Sequence, residues 1–328
     1  MKGIKDGIIR FLRILRVTLI RKLIHVTRKL KLPGFEGISL WEILFFFGWS
    51  IRRGYITTRA SSLAFHFFLA MIPFGLLLVV LSSQLHFFDL KHEILPILGS
   101  FIPEGVFDSL LGNMEEFENS SVTSLVSFGF LVAIYFTSNG FRVMIKTFNS
   151  SRVNFEKRKW WSIRLTAFMF VLVSLAGIIL LFVSMLLERK AMVKWIQSNA
   201  FVADNSGWIF GIFAFITCGL FLYIGIAVLY YFGPSKRKQF KFFSAGATLA
   251  TVLIVLISEA YSLYVRFFST YDDLYGSLGT LMILMLWIYL VSIALLLGFE
   301  LNASIHGALA KKRLDNLKDI EDRYQKTF

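Results

Sequence analysis

Between Arg59 and Asp89 the chain runs for 29 residues without an Asp, Glu, Lys or Arg. It does so five more times: 23 residues between Glu118 and Arg142, 23 between Arg164 and Glu188, 31 between Asp204 and Lys236, 24 between Lys241 and Arg266 interrupted by Glu259, and 26 between Asp273 and Glu300. A helix needs about 20 apolar residues to cross the hydrocarbon of a bilayer, where only a helix or a closed barrel satisfies its own backbone. The runs predict an all-α integral membrane protein with six transmembrane helices, at about 61–83, 120–141, 165–187, 208–232, 242–265 and 277–299. Residues 1–59 then form a basic segment before the membrane domain 60–305, and 306–328 a polar tail. Composition agrees, with 17% charged residues against about 25% in soluble domains. The first run is too long for the apolar stretch of a cleaved signal peptide.

The net charge of +14 would suggest nucleic acid were the cations not so unevenly placed. Residues 1–59 hold 13 Lys and Arg, 142–164 hold 7, 233–241 hold 4 and 301–328 hold 6. The alternate segments 84–118, 188–207 and 266–276 hold 1, 3 and 1. Lysine and arginine stay on the cytoplasmic side of short loops. Both termini are thus expected on the cytoplasmic side, with 84–118 and its seven acids outside. The partners this implies are anionic inner-leaflet lipids, not nucleic acid.

Ile8, Leu12, Leu15, Leu19, Leu23, Val26 and Leu30 recur at helical spacing, so 8–30 reads as a basic amphipathic helix. It either lies in the inner interface or docks on the protein itself. Ser39-x-x-Glu42 has the form of a capping box. Trp41, Leu44, Phe45 and Trp49 follow it and predict a second short interfacial helix. In the 84–118 loop Val106, Leu110, Met114 and Phe117 share a helical face. Cys218, the single cysteine, excludes an intrachain disulfide and is expected to be a small buried hydrophobe.

Several short blocks stand out against this background. Arg59-Ala60-Ser61-Ser62-Leu63-Ala64-Phe65 leads to Ile72-Pro73, and Gly246-Ala247 opens the fifth run. Tyr275-Gly276-Ser277-Leu278-Gly279 precedes Trp287-Ile288-Tyr289, and Gly298-Phe299-Glu300-Leu301-Asn302-Ala303 closes the set. Together they resemble the YihY/BrkB family of bacterial inner-membrane proteins over about residues 35–310. Phe299 stands where that family more often has a small residue. The resemblance implies a six-helix membrane protein. The family has carried the labels virulence-associated protein and ribonuclease, and one member's link to lipid export makes a transporter or lipid-translocase role thinkable.

Ionisable groups inside a bilayer are functional candidates by default. Arg59, His66, Asn139 and Glu300 all fall in the inner half of their spans and are able to meet at one mouth, with Arg59 or His66 pairing Glu300. This set reads as an inner gate or headgroup site, or as a salt bridge that pins helices. Glu259 is the one acid well inside a span, seven residues from Arg266; it reads as a proton relay or outer gate, or as a carboxylate bonded to a neighbouring helix. Pro73 interrupts the first span, as in the broken helices of transporters or in a simple kink. Tyr275 is near Glu259 in sequence, Gly276 suits a tight outer turn or close packing of the last two spans, and Asn302 follows Glu300. Gly207-x-x-x-Gly211 matches a helix-contact motif. His86, Asp89, His92 and Glu93 have metal-like spacing but read as a solvated face.

There is no His-Glu-x-x-His, Gly-x-Ser-x-Gly or Gly-x-x-x-x-Gly-Lys motif, so neither an enzyme nor a cofactor is expected. The leading expectation is a transporter or lipid/amphiphile translocase. A membrane scaffold or assembly protein is the alternative, and a ribonuclease the remote one.

Overall fold

The computed structural model describes residue 27 and residues 36–84, 123–151, 158–198, 206–235, 241–267 and 277–327. Among them every regular element is an α-helix: α1 (Leu40–Arg53), α2 (Ile56–Gln84), α3 (Thr123–Asn149), α4 (Trp160–Ser198), α5 (Ser206–Phe232), α6 (Ala245–Phe267) and α7 (Ser277–Thr327). Each of the six charge-free runs falls on one of α2 to α7. Among the described residues four helices are long and apolar enough to cross a membrane, at Trp160–Leu181, Gly211–Phe232, Ala245–Tyr264 and Leu281–Lys318. The other two, α2 and α3, have 29 and 27 residues.

The helices from α2 to α6 each pack on the next in sequence, and α7 returns to α2, so six helices close a ring. α1 lies against α7 outside that ring. It starts as its capping box predicts, Ser39 accepting a hydrogen bond from the Glu42 amide at 3.3 Å. One face of α1 buries Ile43 and Ser50, while Leu44, Phe45 and Trp49 stay exposed. Ile38 and Ile43 pack with Leu301, Ile305 and Ala308 of α7.

Lipid chains are as apolar as leucine, so burial alone cannot drive membrane helices together, and close packing and polar contacts take over. Both are visible at the ring's centre. Phe148 and Phe299 stack at 4.3 Å, and Tyr230 stands edge-on to both. Each such pair adds about 0.5–1.5 kcal/mol beyond the area it buries. The Tyr230 hydroxyl donates to the Leu295 carbonyl. Phe299 is thus one of a buried aromatic trio. Beside it α6 and α7 cross at Gly246 and Gly298, where a Cβ on either would run into the other's carbonyl oxygen.

Two expectations are revised, at Cys218 and Gly211. Cys218 is exposed: α5 is apolar all round, and where lipid is the solvent an apolar side chain has no reason to turn inward. α7 continues without a break through residue 306 to Thr327, so the polar end of the chain is helical. A Cβ at Gly211 would meet nothing within 4 Å, so that position makes no close helix contact within the chain. The helix runs on through Pro73. The amphipathic helix at 8–30, the 84–118 loop with its four metal-spaced residues, Tyr275 and Gly276 lie outside the described residues.

Candidate functional site

The α1–α2 corner is built to aim two side chains at α7. Gly54 ends α1, and a Cβ there would strike the Ser50 carbonyl oxygen. Tyr55 follows at φ 47°, in the left-handed region, where a non-glycine residue is uncommon. Across this corner Ser50 and Arg59 both reach Glu300, which is 0% exposed.

The Glu300 carboxylate accepts three hydrogen bonds. Arg59 Nη1 donates to Oε1 at 2.7 Å, and the Ser50 and Ser151 hydroxyls donate to Oε2 at 2.5 and 2.9 Å. Arg59 Nη2 donates to the Thr147 carbonyl at 2.7 Å. That carbonyl lies in the last turn of α3, where a helix leaves oxygens without intrahelical partners and a cation meets the negative end of the dipole. One ion pair therefore ties α1, α2, the end of α3 and α7.

Other helix ends close at the same level by side chains. Asn302 Oδ1 accepts from the Gly246 amide, and its Nδ2 donates to Ser244 Oγ, both at 2.8 Å. Ser244 Oγ in turn accepts from the Ala247 amide, so Asn302 holds the N-terminus of α6. Asn149 Nδ2 donates to the Gly233 carbonyl while its Oδ1 accepts from the Ser235 amide and hydroxyl. Arg158 Nη1 donates to the Phe232 and Gly233 carbonyls, which closes the C-terminus of α5.

The four inner-half candidates therefore divide. Arg59 and Glu300 form the ion pair. His66 turns back to its own helix, Nδ1 lying 2.8 Å from the Ser62 carbonyl with the ring edge-on to Phe65. Asn139 accepts from Arg164 Nη1 at 2.7 Å. Glu259 is exposed on α6. Nearby, α6 and α7 meet through Trp287, whose indole N–H donates to Ser258 Oγ at 3.3 Å.

Ser50, Ser151, Asn149, Arg158 and Arg164 were not singled out by sequence reasoning. Ser50 alone carried a signal: it is seven residues from Ile43, hence a polar residue on the buried face of α1. The others lie in or beside cationic segments, where counting charges hides which one folds inward.

Two cavities accompany this polar layer. One of about 370 Å³ lies between α2, α3, α4 and α7, lined by Phe67, Phe74, Thr137, Phe141, Ser174 and Trp287 among others. Its lining is almost wholly apolar, and the Thr137 hydroxyl is buried with no partner. The other, about 680 Å³, opens between α1 and α7 and is lined by Trp41, Glu42, Phe45, Lys311, Lys312 and Asp315 among others. Among the described residues no three His, Cys, Asp or Glu side chains gather as a metal ion requires.

The model of the Virulence factor BrkB family matches residues 50–320. Three curated relatives cover most of the chain. A Bacillus subtilis protein named as ribonuclease-like, YfkH, is 27% identical over 252 residues, 76% of this chain and 90% of its own length. A UPF0761 membrane protein of Pseudoalteromonas atlantica is 25% identical over 281 residues, 83% of this chain and 88% of its own. Another, from Aggregatibacter aphrophilus, is 27% identical over 277 residues, 81% and 92%. No solved structure matches the chain.

Proposed function

This chain belongs to the BrkB family and is a multi-pass membrane protein, and from that premise we propose that it handles a lipid or similar amphiphile within a bacterial inner membrane. All six helices α2 to α7 cross, both termini lie in the cytoplasm, and the Arg59–Glu300 layer faces the inner leaflet. The supporting observation for the substrate class is the 370 Å³ cavity between α2, α3, α4 and α7, faced by Phe67, Phe74, Phe141 and Trp287. A path for an ion or polar solute would need convergent polar groups. An apolar cavity of this size suits an acyl chain. The 680 Å³ cleft, with both charge signs and the three rings of Trp41, Phe45 and Phe46, suits a headgroup at the inner surface. In this reading Lys311 and Lys312 of the cleft gather headgroups, and the buried Arg59–Glu300 pair is the hinge pin at the inner mouth.

The test is lipid movement in vesicles carrying the purified chain. Wild type should speed the exchange of a fluorescent-headgroup phospholipid between leaflets. Ser174→Phe, which fills the cavity, should abolish it, and Leu172→Phe, on an exposed face of the same helix, should not. Exchange no faster than in protein-free vesicles overturns the reading.

A second reading is a scaffold with no transported substrate, favoured by the tight Gly246–Gly298 crossing. It predicts a partner that co-purifies and no lipid exchange. The name of the Bacillus relative raises ribonuclease activity, for which this chain would need an aqueous carboxylate or histidine cluster. RNA incubated with contaminant-free protein, with and without divalent metal, should stay intact.

A further inference from the structure

Among the described residues, Arg164 and Arg142 are cations that meet no carboxylate. Arg164 stands one turn into α4 and is 7% exposed. Beyond its bond to Asn139, its guanidinium lies 3.9 Å from the ring centroid of Tyr135 and 4.9 Å from that of Phe168. Its Nη2 is buried without an acceptor, and so is Nε of Arg142. Asn139 and Arg142 are three residues apart on α3 and so share a face. Arg142 thus lies one turn along α3 from the Asn139 that Arg164 bonds.

Each of the two guanidinium groups thus carries an idle buried donor. A buried donor left without an acceptor is costly, and more so when charged. Depth narrows what acceptor suits them. Trp160 and Trp161 are exposed where α4 begins, and tryptophans of this kind sit at headgroup level. Arg164 is four residues further along, about 6 Å deeper, just beneath the headgroups. The group covering it is Tyr135, which is 51% exposed, so its ring can swing outward into lipid. A guanidinium fork matches the oxygens of a phosphate two at a time.

We propose that Arg164, Arg142 and Asn139, lidded by Tyr135, form a receptor for a phosphate group, supplied by a lipid headgroup or by free phosphate. A lipid bound here without being moved leaves this inference standing, so it fails separately from the transport reading.

The test uses the full chain in an uncharged detergent, following its thermal unfolding midpoint against added ligand. Stabilisation by phosphatidylglycerol, and not by a diacylglycerol of the same chains, assigns the phosphate to a lipid. Stabilisation by inorganic phosphate assigns it to solution. In either case Arg164→Lys, which keeps the charge and loses the fork, and Arg142→Gln should weaken apparent affinity about tenfold, the loss of one charge-assisted hydrogen bond. Arg142→Gln carries the test should Arg164→Lys not fold. No stabilisation by either ligand, or wild-type affinity in a folded variant, overturns the proposal.

Discussion

Glu300 shows how one residue in lipid can be both costly and indispensable. A carboxylate with no exposed surface is tolerated because Arg59, Ser50 and Ser151 all donate to it. Removing one partner of a buried pair leaves an uncompensated charge, at about 3–5 kcal/mol, whereas replacing both by apolar residues is often neutral. Arg59→Met should therefore lower stability by about that amount. Arg59→Met with Glu300→Leu should be more stable than Arg59→Met alone. Thermal unfolding of the detergent-solubilised variants measures this, and strictly additive effects would show that the pair is not coupled. The pairing itself was legible in the sequence as one option, since both residues end their runs on the same side. That Arg59 and not His66 takes the partnership was not legible: it follows from the corner at Gly54 and Tyr55, which turns Arg59 toward α7.

At the scale of elements, what holds this bundle is the fit of helix ends and crossings. The α6–α7 contact needs two glycines because backbone meets backbone there, and Asn302 then closes the first turn of α6. The block from Gly298 to Asn302 thus becomes intelligible residue by residue: crossing point, aromatic stack, buried ion pair, α1 contact, helix cap. Gly246→Ala or Gly298→Ala should cost more than the roughly 1–3 kcal/mol typical of overpacking, because backbone cannot yield as a side chain does. Both variants should accumulate poorly in membranes by immunoblot. Gly177→Ala and Gly211→Ala, where a Cβ meets nothing within 4 Å, should accumulate as wild type. Equal levels across the four would remove the crossing from this account.

For the whole molecule, the ring closes because α7 packs on both α6 and α2, so the last helix locks the first. The same long helix extends to Thr327 and carries Lys311 and Lys312 along the cleft beside α1. With 13 Lys and Arg before the first run and 6 after the last, both ends should stay in the cytoplasm. A reporter fused after Phe328 that works only in the cytoplasm should be active, and one that works only outside should be silent. The opposite result would exchange the inner and outer mouths and remove the basis for an inner-leaflet substrate.

Among the described residues, charge-free run length by itself located the long helices α2 to α7, because the cost of placing a charge in hydrocarbon acts on each residue wherever its neighbours are. It could not say which polar residues meet. Arg142, Arg158 and Arg164 look alike in sequence, yet one closes the end of α5 and another lies buried against Tyr135. Apolar residues carry no inward signal when both lipid and core are apolar, so Cys218 facing out and Phe299 facing in were decided only by packing. Partnership depends on the distance between helices, and that exists only once the ring has closed.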